Sequence, residues 1–128
     1  MSKTKYTAEF EIHASPKMLY PYLSTASGLS EWIADDVNIN QDKVFTFVWD
    51  GFSYPAKKTA QKANQYIKFE FLPEKNSLDK TPSFLEFKLD INELTQTSFL
   101  KVTDFSDLED SKELWDNVVG KLRTIVGG

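Results

Sequence analysis

Ser15-Pro16-Lys17-Met18-Leu19-Tyr20-Pro21-Tyr22-Leu23-Ser24-Thr25-Ala26-Ser27-Gly28-Leu29-Ser30-Glu31-Trp32 is the stretch on which the architecture turns. Ser15-Pro16 reads as a helix start. The hydroxyl can accept from an exposed N–H, and proline at the first helical position loses no hydrogen bond. Met18, Leu19, Tyr22 and Leu23 recur at helical spacing. Pro21 lies inside that pattern and limits it to a short or kinked helix. Thr25 to Trp32 predicts a second short helix that turns Leu29, Trp32 and Ile33 inward.

Upstream, Tyr6 to Ile12 alternates, with Tyr6, Ala8, Phe10 and Ile12 on one side and Thr7, Glu9 and Glu11 on the other. A period of two is the mark of a half-buried strand. Downstream the same period returns. Asp36 to Ile39 predicts a brief strand. Lys43 to Trp49 predicts a stronger one, with Phe45, Phe47 and Trp49 on a single face. Asp50-Gly51 is a turn dipeptide. Phe52 to Lys62 is weakly patterned, and Asn64-Gln65 turns the chain. Tyr66 to Leu72 turns Ile67, Phe69 and Phe71 inward, and Phe84 to Ile91 turns in Leu85, Phe87, Leu89 and Ile91. The polar segment Pro73 to Ser83 joins these two runs and reads as a mobile loop, too short for a crossover helix, so they are expected to pair antiparallel. Asn92 to Thr95 is a turn, and Thr97 to Thr103 is the last strand.

Ser106-Asp107-Leu108-Glu109 has the spacing of a capping box. Beyond it Leu114, Trp115, Val118, Val119, Leu122, Ile125 and Val126 recur at helical spacing. One strand, two short helices, a run of antiparallel strands and a long last helix make an α+β domain of the helix-grip type. In that fold a curved antiparallel sheet wraps around the C-terminal helix.

Composition narrows the function classes. The 128 residues are read as a single domain, residues 1–128, and are enough for one sizeable core. Hydrophobic residues make up 41%, and ten Phe, five Tyr and three Trp supply unusual ring content. The net charge is −4, and the basic side chains form no run beyond Lys57-Lys58, so nucleic-acid binding has no electrostatic support. Zero Cys excludes disulfides and thiolate sites. No apolar stretch approaches membrane-spanning length and no leader pattern opens the chain, so no stable membrane insertion is expected and the location is expected to be cytoplasmic.

Chemistry-bearing residues are sparse. His13 stands alone on the outward side of the first strand, with no nucleophile and acid aligned to it. Asp35-Asp36 and the group Asp104, Asp107, Glu109 and Asp110 lack the spacing of a calcium loop, and no metal or cofactor is expected. Asp104 shares the inward parity of Leu100 and Val102, though fraying at the strand end also explains its place. Gly120, inside the last helix, is expected either to allow close approach of a strand, the first reading, or to leave room for a ligand.

The inward rings point to an aromatic-lined chamber between the sheet and the last helix. Its expected lining is Trp32, Phe47, Trp49, Phe69, Phe71, Phe87, Leu89, Trp115, Val119 and Leu122. Tyr22, Tyr54 and Asp104 are the polar groups that could orient a ligand. Taken one at a time, each ring reads first as ordinary core, and only the set suggests a chamber. Trp32 and Trp115 either plug the core or border a chamber mouth.

The chain resembles the SRPBCC superfamily, the START-like and birch-pollen-allergen-like proteins. Within it, the chain is most similar to small bacterial START-like proteins of the heat-shock-ninety ATPase-activator homologue branch. The residues that carry the resemblance are Ser15-Pro16, Leu19-Tyr20, Leu23-Ser24-Thr25, Gly28-Leu29, Trp32, Phe47-Val48-Trp49, Leu114-Trp115, Val119 and Leu122. Leu114 stands where that branch often has Gly, which would narrow the cavity. The resemblance implies a hydrophobic cavity and non-catalytic binding of a small apolar or lipid-like molecule. It also implies two alternatives: an interaction module with a chaperone partner, and an aromatase/cyclase-like enzyme.

Overall fold

The computed structural model describes residues 3–72, 82–107 and 110–127. β1 (Thr4–Ile12) leads into α1 (Pro16–Ser24) and α2 (Ala26–Ser30). Then come β2 (Asp36–Ile39), β3 (Val44–Trp49), β4 (Phe52–Lys62), β5 (Tyr66–Phe71), β6 (Phe84–Asn92) and β7 (Thr97–Ser106), and α3 (Ser111–Val126) follows. The strands form one sheet in the order β1-β7-β6-β5-β4-β3-β2, and every neighbouring pair is antiparallel. Phe69 stands opposite Leu85 in the β5–β6 pair, as the two alternating runs require. The α+β helix-grip architecture read from the element order is the architecture observed.

The helix starts follow from their side chains. Ser15 Oγ accepts from the backbone N–H of Met18 and caps α1. Thr25 Oγ1 accepts from the N–H of Gly28 and caps α2. Because Thr25 is extended and serves as that cap, α2 is shorter than the predicted Thr25–Trp32, and Trp32 lies in the turn beyond it. Gly28 is required where it sits: a Cβ there would lie 2.2 Å from the Pro21 carbonyl oxygen. The two short helices therefore cross at close backbone contact.

Three other expectations need correction. α3 starts at Ser111 with Asp110 in the N-cap position, not at Ser106. β7 runs on through Ser106 and so consumes the first residue of the proposed capping box, whose Leu108 and Glu109 lie outside the described residues. Ile91 and Ile125 share the inward parity of their elements but are exposed, because the strand and helix run past the core at those ends. A Cβ on Gly120 would meet nothing within 4 Å, so no strand approaches it closely. Residues 73–81 of the predicted loop lie outside the described residues.

The core forms where the concave face of the sheet meets α1, α2 and α3. Ile12, Leu19, Leu23, Leu29, Phe45, Ala56, Ile67, Leu100 and Val102 join the larger rings in one buried cluster. At one end of the sheet the strands part. The β4–β5 register stops at Ala56 opposite Phe71. One residue further, the Pro55 carbonyl accepts from the Leu72 N–H, but proline has no N–H to return.

Candidate functional site

The space between the sheet and α3 is occupied by the protein's own side chains. Trp32, Phe87 and Trp115 form one group, with ring centroids 5.8 to 6.3 Å apart. These separations lie in the range of favourable tilted and edge-to-face pairs. Phe47, Phe69, Phe87, Val119 and Leu122 are 0% exposed, and Leu89 is buried with them. Leu114, half-buried, packs against the same cluster.

Both central indoles are satisfied inside the protein. Trp32 Nε1 donates to the Tyr22 carbonyl at 2.8 Å, and Trp115 Nε1 donates to Asp104 Oδ2 at 2.8 Å. Asp104 is thus an inward, buried carboxylate rather than a frayed strand end. Of the three orienting groups expected, Asp104 faces the core, Tyr22 is half-buried and Tyr54 lies out at one end of the sheet. His13 is exposed, and no acidic or histidine cluster among the described residues is placed to hold a metal.

Trp49 and Phe71 leave the core as half-buried rings at that same end. Phe47 stacks on Trp49 at 5.4 Å and meets Phe71 at 5.5 Å. Trp49 in turn meets Phe71 at 6.2 Å and Tyr54 at 5.5 Å, while its Nε1 donates to the Ile33 carbonyl at 2.8 Å. Across the β3–β4 pair, Trp49 faces Phe52 and Phe47 faces Tyr54, and Phe71 stands on the same face opposite Ala56. The aromatic core therefore emerges as a ledge. Exposure rises from 0% at Phe47 to 41% at Tyr54 and 66% at Phe52.

Where β4 and β5 part, a groove of about 160 Å³ opens, lined by Phe52, Ser53, Tyr54, Pro55, Phe71 and Leu72. Phe52, Tyr54, Pro55 and Leu72 sit outside the residues expected to line a chamber. Their signal in the sequence was weak, because β4 alternates poorly. A larger depression of about 470 Å³ lies at the start of α3. Its lining, Asp110, Lys112, Glu113, Asp116 and Asn117, offers no ring or branched aliphatic side chain to cover a ligand. The ledge is therefore the stronger candidate.

Other polar contacts are structural. Tyr66 donates to Glu86 Oε2 at 2.6 Å, and burial together with that carboxylate pushes the Tyr66 hydroxyl up to about 12. Burial also raises Tyr20, which reaches the Tyr66 carbonyl at 3.4 Å. Arg123 donates from Nη2 to the Glu11 carbonyl at 2.9 Å and ties α3 to β1. Among the described residues no helix is long and apolar enough to cross a membrane.

A family model described as a START-like superfamily domain matches residues 1–128. Among solved structures, the Aha1 dimer of Colwellia psychrerythraea superposes with a TM-score of 0.77 at 18% identity, covering 96% of each chain. A Mesorhizobium loti protein gives 0.77 at 16% identity, covering 97% of each chain. A Bacteroides fragilis protein is 38% identical, with a TM-score of 0.60, over 98% of this chain and 92% of its own. The first two likenesses are of fold. No curated protein matches the chain.

Proposed function

The chain belongs to the START-like superfamily, and we propose that it acts as a non-catalytic binding domain for a small apolar molecule, held on the aromatic ledge rather than in a central chamber. One observation carries this reading: ring contacts run from the buried Phe47 through Trp49 to the exposed Tyr54, with the exposed Phe52 paired opposite Trp49, beside an apolar groove. Apolar surface removed from water contributes roughly 25 cal/mol per Å² before the entropic cost of association. A groove of about 160 Å³ is below the roughly 300–1,000 Å³ of most small-molecule sites. It fits one ring or a short alkyl segment, with the rest of the ligand lying along the ledge.

Phe69 meets Phe47 edge-on at 5.6 Å beneath the ledge, and Trp49 and Phe71 carry the ring contacts from Phe47 outward. Trp32, Phe87, Leu89, Trp115, Val119 and Leu122 belong to the same buried core without reaching the ledge rings. A cyclase-like reading needs a polar group projecting into a chamber, and Asp104 is engaged by the Trp115 indole. A protein partner docked on the ledge is the second reading, favoured by the filled interior, because such docking needs no cavity. The groove, lined by six residues, is of the size of a small apolar group, so the small molecule is the reading taken.

The test is titration with N-phenyl-1-naphthylamine, an uncharged dye that brightens in apolar surroundings. We expect one dye per chain, a raised melting temperature, and at least about tenfold weaker binding in Phe52→Ala with Tyr54→Ala. Both side chains are exposed, so the variant keeps its core. Absence of binding, or binding that ignores the substitutions, overturns the ledge as the site.

A further inference from the structure

The ledge ends in negative charge. Trp49 and Phe52, which face each other across β3 and β4, flank the two-residue turn Asp50-Gly51. That turn has positive φ at both positions, 52° and 82°, as a tight right-twisted hairpin requires. Asp35 reaches the same turn from the α2–β2 connection, and its Oδ2 accepts from the Asp50 N–H at 2.9 Å. Two exposed carboxylates therefore stand at the tip of the hairpin whose rings form the ledge.

Among the described residues, no Lys or Arg pairs with Asp35 or Asp50. Lys57, the nearest cation along β4, stands opposite Glu70 on the outward face of the sheet. Asp36 opposes Val48 on that outward face as well, and its carboxylate accepts from the Val37 N–H and the Asn38 side chain. The chain as a whole carries −4, so the background field has the same sign as the tip. Exposed rings at Phe52 and Tyr54 near two exposed carboxylates complement one ligand chemistry. An ammonium group is drawn to the faces of aromatic rings and to the carboxylates at once. A fatty-acid carboxylate or a sulfate placed there meets like charge.

We propose, resting on the ledge as the apolar site, that its occupant is a cationic amphiphile. The alkyl or aryl chain lies in the groove between Tyr54, Phe71 and Leu72, and the ammonium head sits over Phe52 and Trp49 beside Asp35 and Asp50. Surface ion pairs and exposed cation–π contacts are each modest, so the head group selects rather than holds. The expected selection over an uncharged head is about tenfold at low salt. It shrinks as salt shortens the screening length from about 10 Å at 0.1 M to about 3 Å at 1 M.

The experiment is calorimetric titration of the full chain with decyltrimethylammonium, decyl glucoside and decyl sulfate, each below its aggregation concentration. The same series is run on Asp35→Asn with Asp50→Asn. Asparagine accepts the turn hydrogen bond and tolerates the left-handed backbone at position 50, so the hairpin survives. The ammonium compound should bind about tenfold tighter than the glucoside, and the sulfate weakest. The double variant should lose that ranking and still bind the glucoside. Equal affinities, a preference for sulfate, or a ranking unchanged by the two substitutions overturns the cation assignment and leaves the ledge standing. Failure of all three compounds to bind overturns both.

Discussion

Asp104 and Trp115 show how one residue can be read two ways until its neighbour is known. The parity of β7 turns Asp104 inward, and a lone carboxylate at a strand end is cheapest left in water. It is buried because the Trp115 indole arrives from α3 to donate to it. Asp104→Ala should therefore destabilise the fold by about 1–3 kcal/mol in denaturant melts, since it strands a buried N–H. Asp104→Asn keeps an acceptor and should retain most of the stability. A change within about 0.5 kcal/mol for the alanine variant would mean that water replaces the carboxylate. Tyr66 predicts a pH effect of definite sign. Its hydroxyl titrates near 12 in the folded chain against 10.0 for an ordinary tyrosine. The stabilisation is complete below pH 10 and is lost as pH rises through 12, because the unfolded chain ionises first. Tyr66→Phe, measured beside the native chain over that window, should lose stability less steeply with rising pH. Identical slopes would show that neither burial nor the Glu86 contact holds the hydroxyl up.

At the scale of elements, β1, β5, β6 and α3 were legible because each has one wet face and one dry face, which prints a period on the sequence. β4 was not. Ala56 is its one buried residue, Pro55 interrupts its ladder, and its register against β5 shifts between Lys58 and Ala60. A bulge of that kind breaks strict alternation, so Phe52 and Tyr54 could not be assigned a face until β3 set it. In α3 the unneeded glycine gives a direct test. A methyl at Gly120 meets open space, and glycine inside a helix costs roughly 0.8–1.0 kcal/mol relative to alanine. Gly120→Ala should raise stability by about 0.5–1 kcal/mol in thermal or denaturant unfolding. Destabilisation instead would reveal a close approach at α3 that the packing does not contain.

For the whole molecule, the decisive quantity is the space between the sheet and α3. Val119 is 0% exposed, so Val119→Trp overpacks a full interior and should destabilise the protein by about 1–3 kcal/mol. It should leave dye binding at Phe52 and Tyr54 unchanged in the fraction that remains folded. A stable Trp variant that loses dye binding would instead mean that the interior opens to ligand. The sequence by itself determined the order of the elements, the inward face of most of them and the α+β helix-grip class. Those properties follow from local periodicity and capping, which each segment carries alone. Whether Trp32, Phe47, Phe69, Phe87 and Trp115 enclose a void or fill it was decided only by the tertiary structure. Filling depends on how rings from three strands, one helix and a turn interdigitate, and close packing is a property of their joint shape. The exposure of Phe52 and Tyr54 is of the same kind: their side of the sheet carries the core at Phe47, and Phe52 and Tyr54 are exposed at its end, where among the described residues no helix covers them.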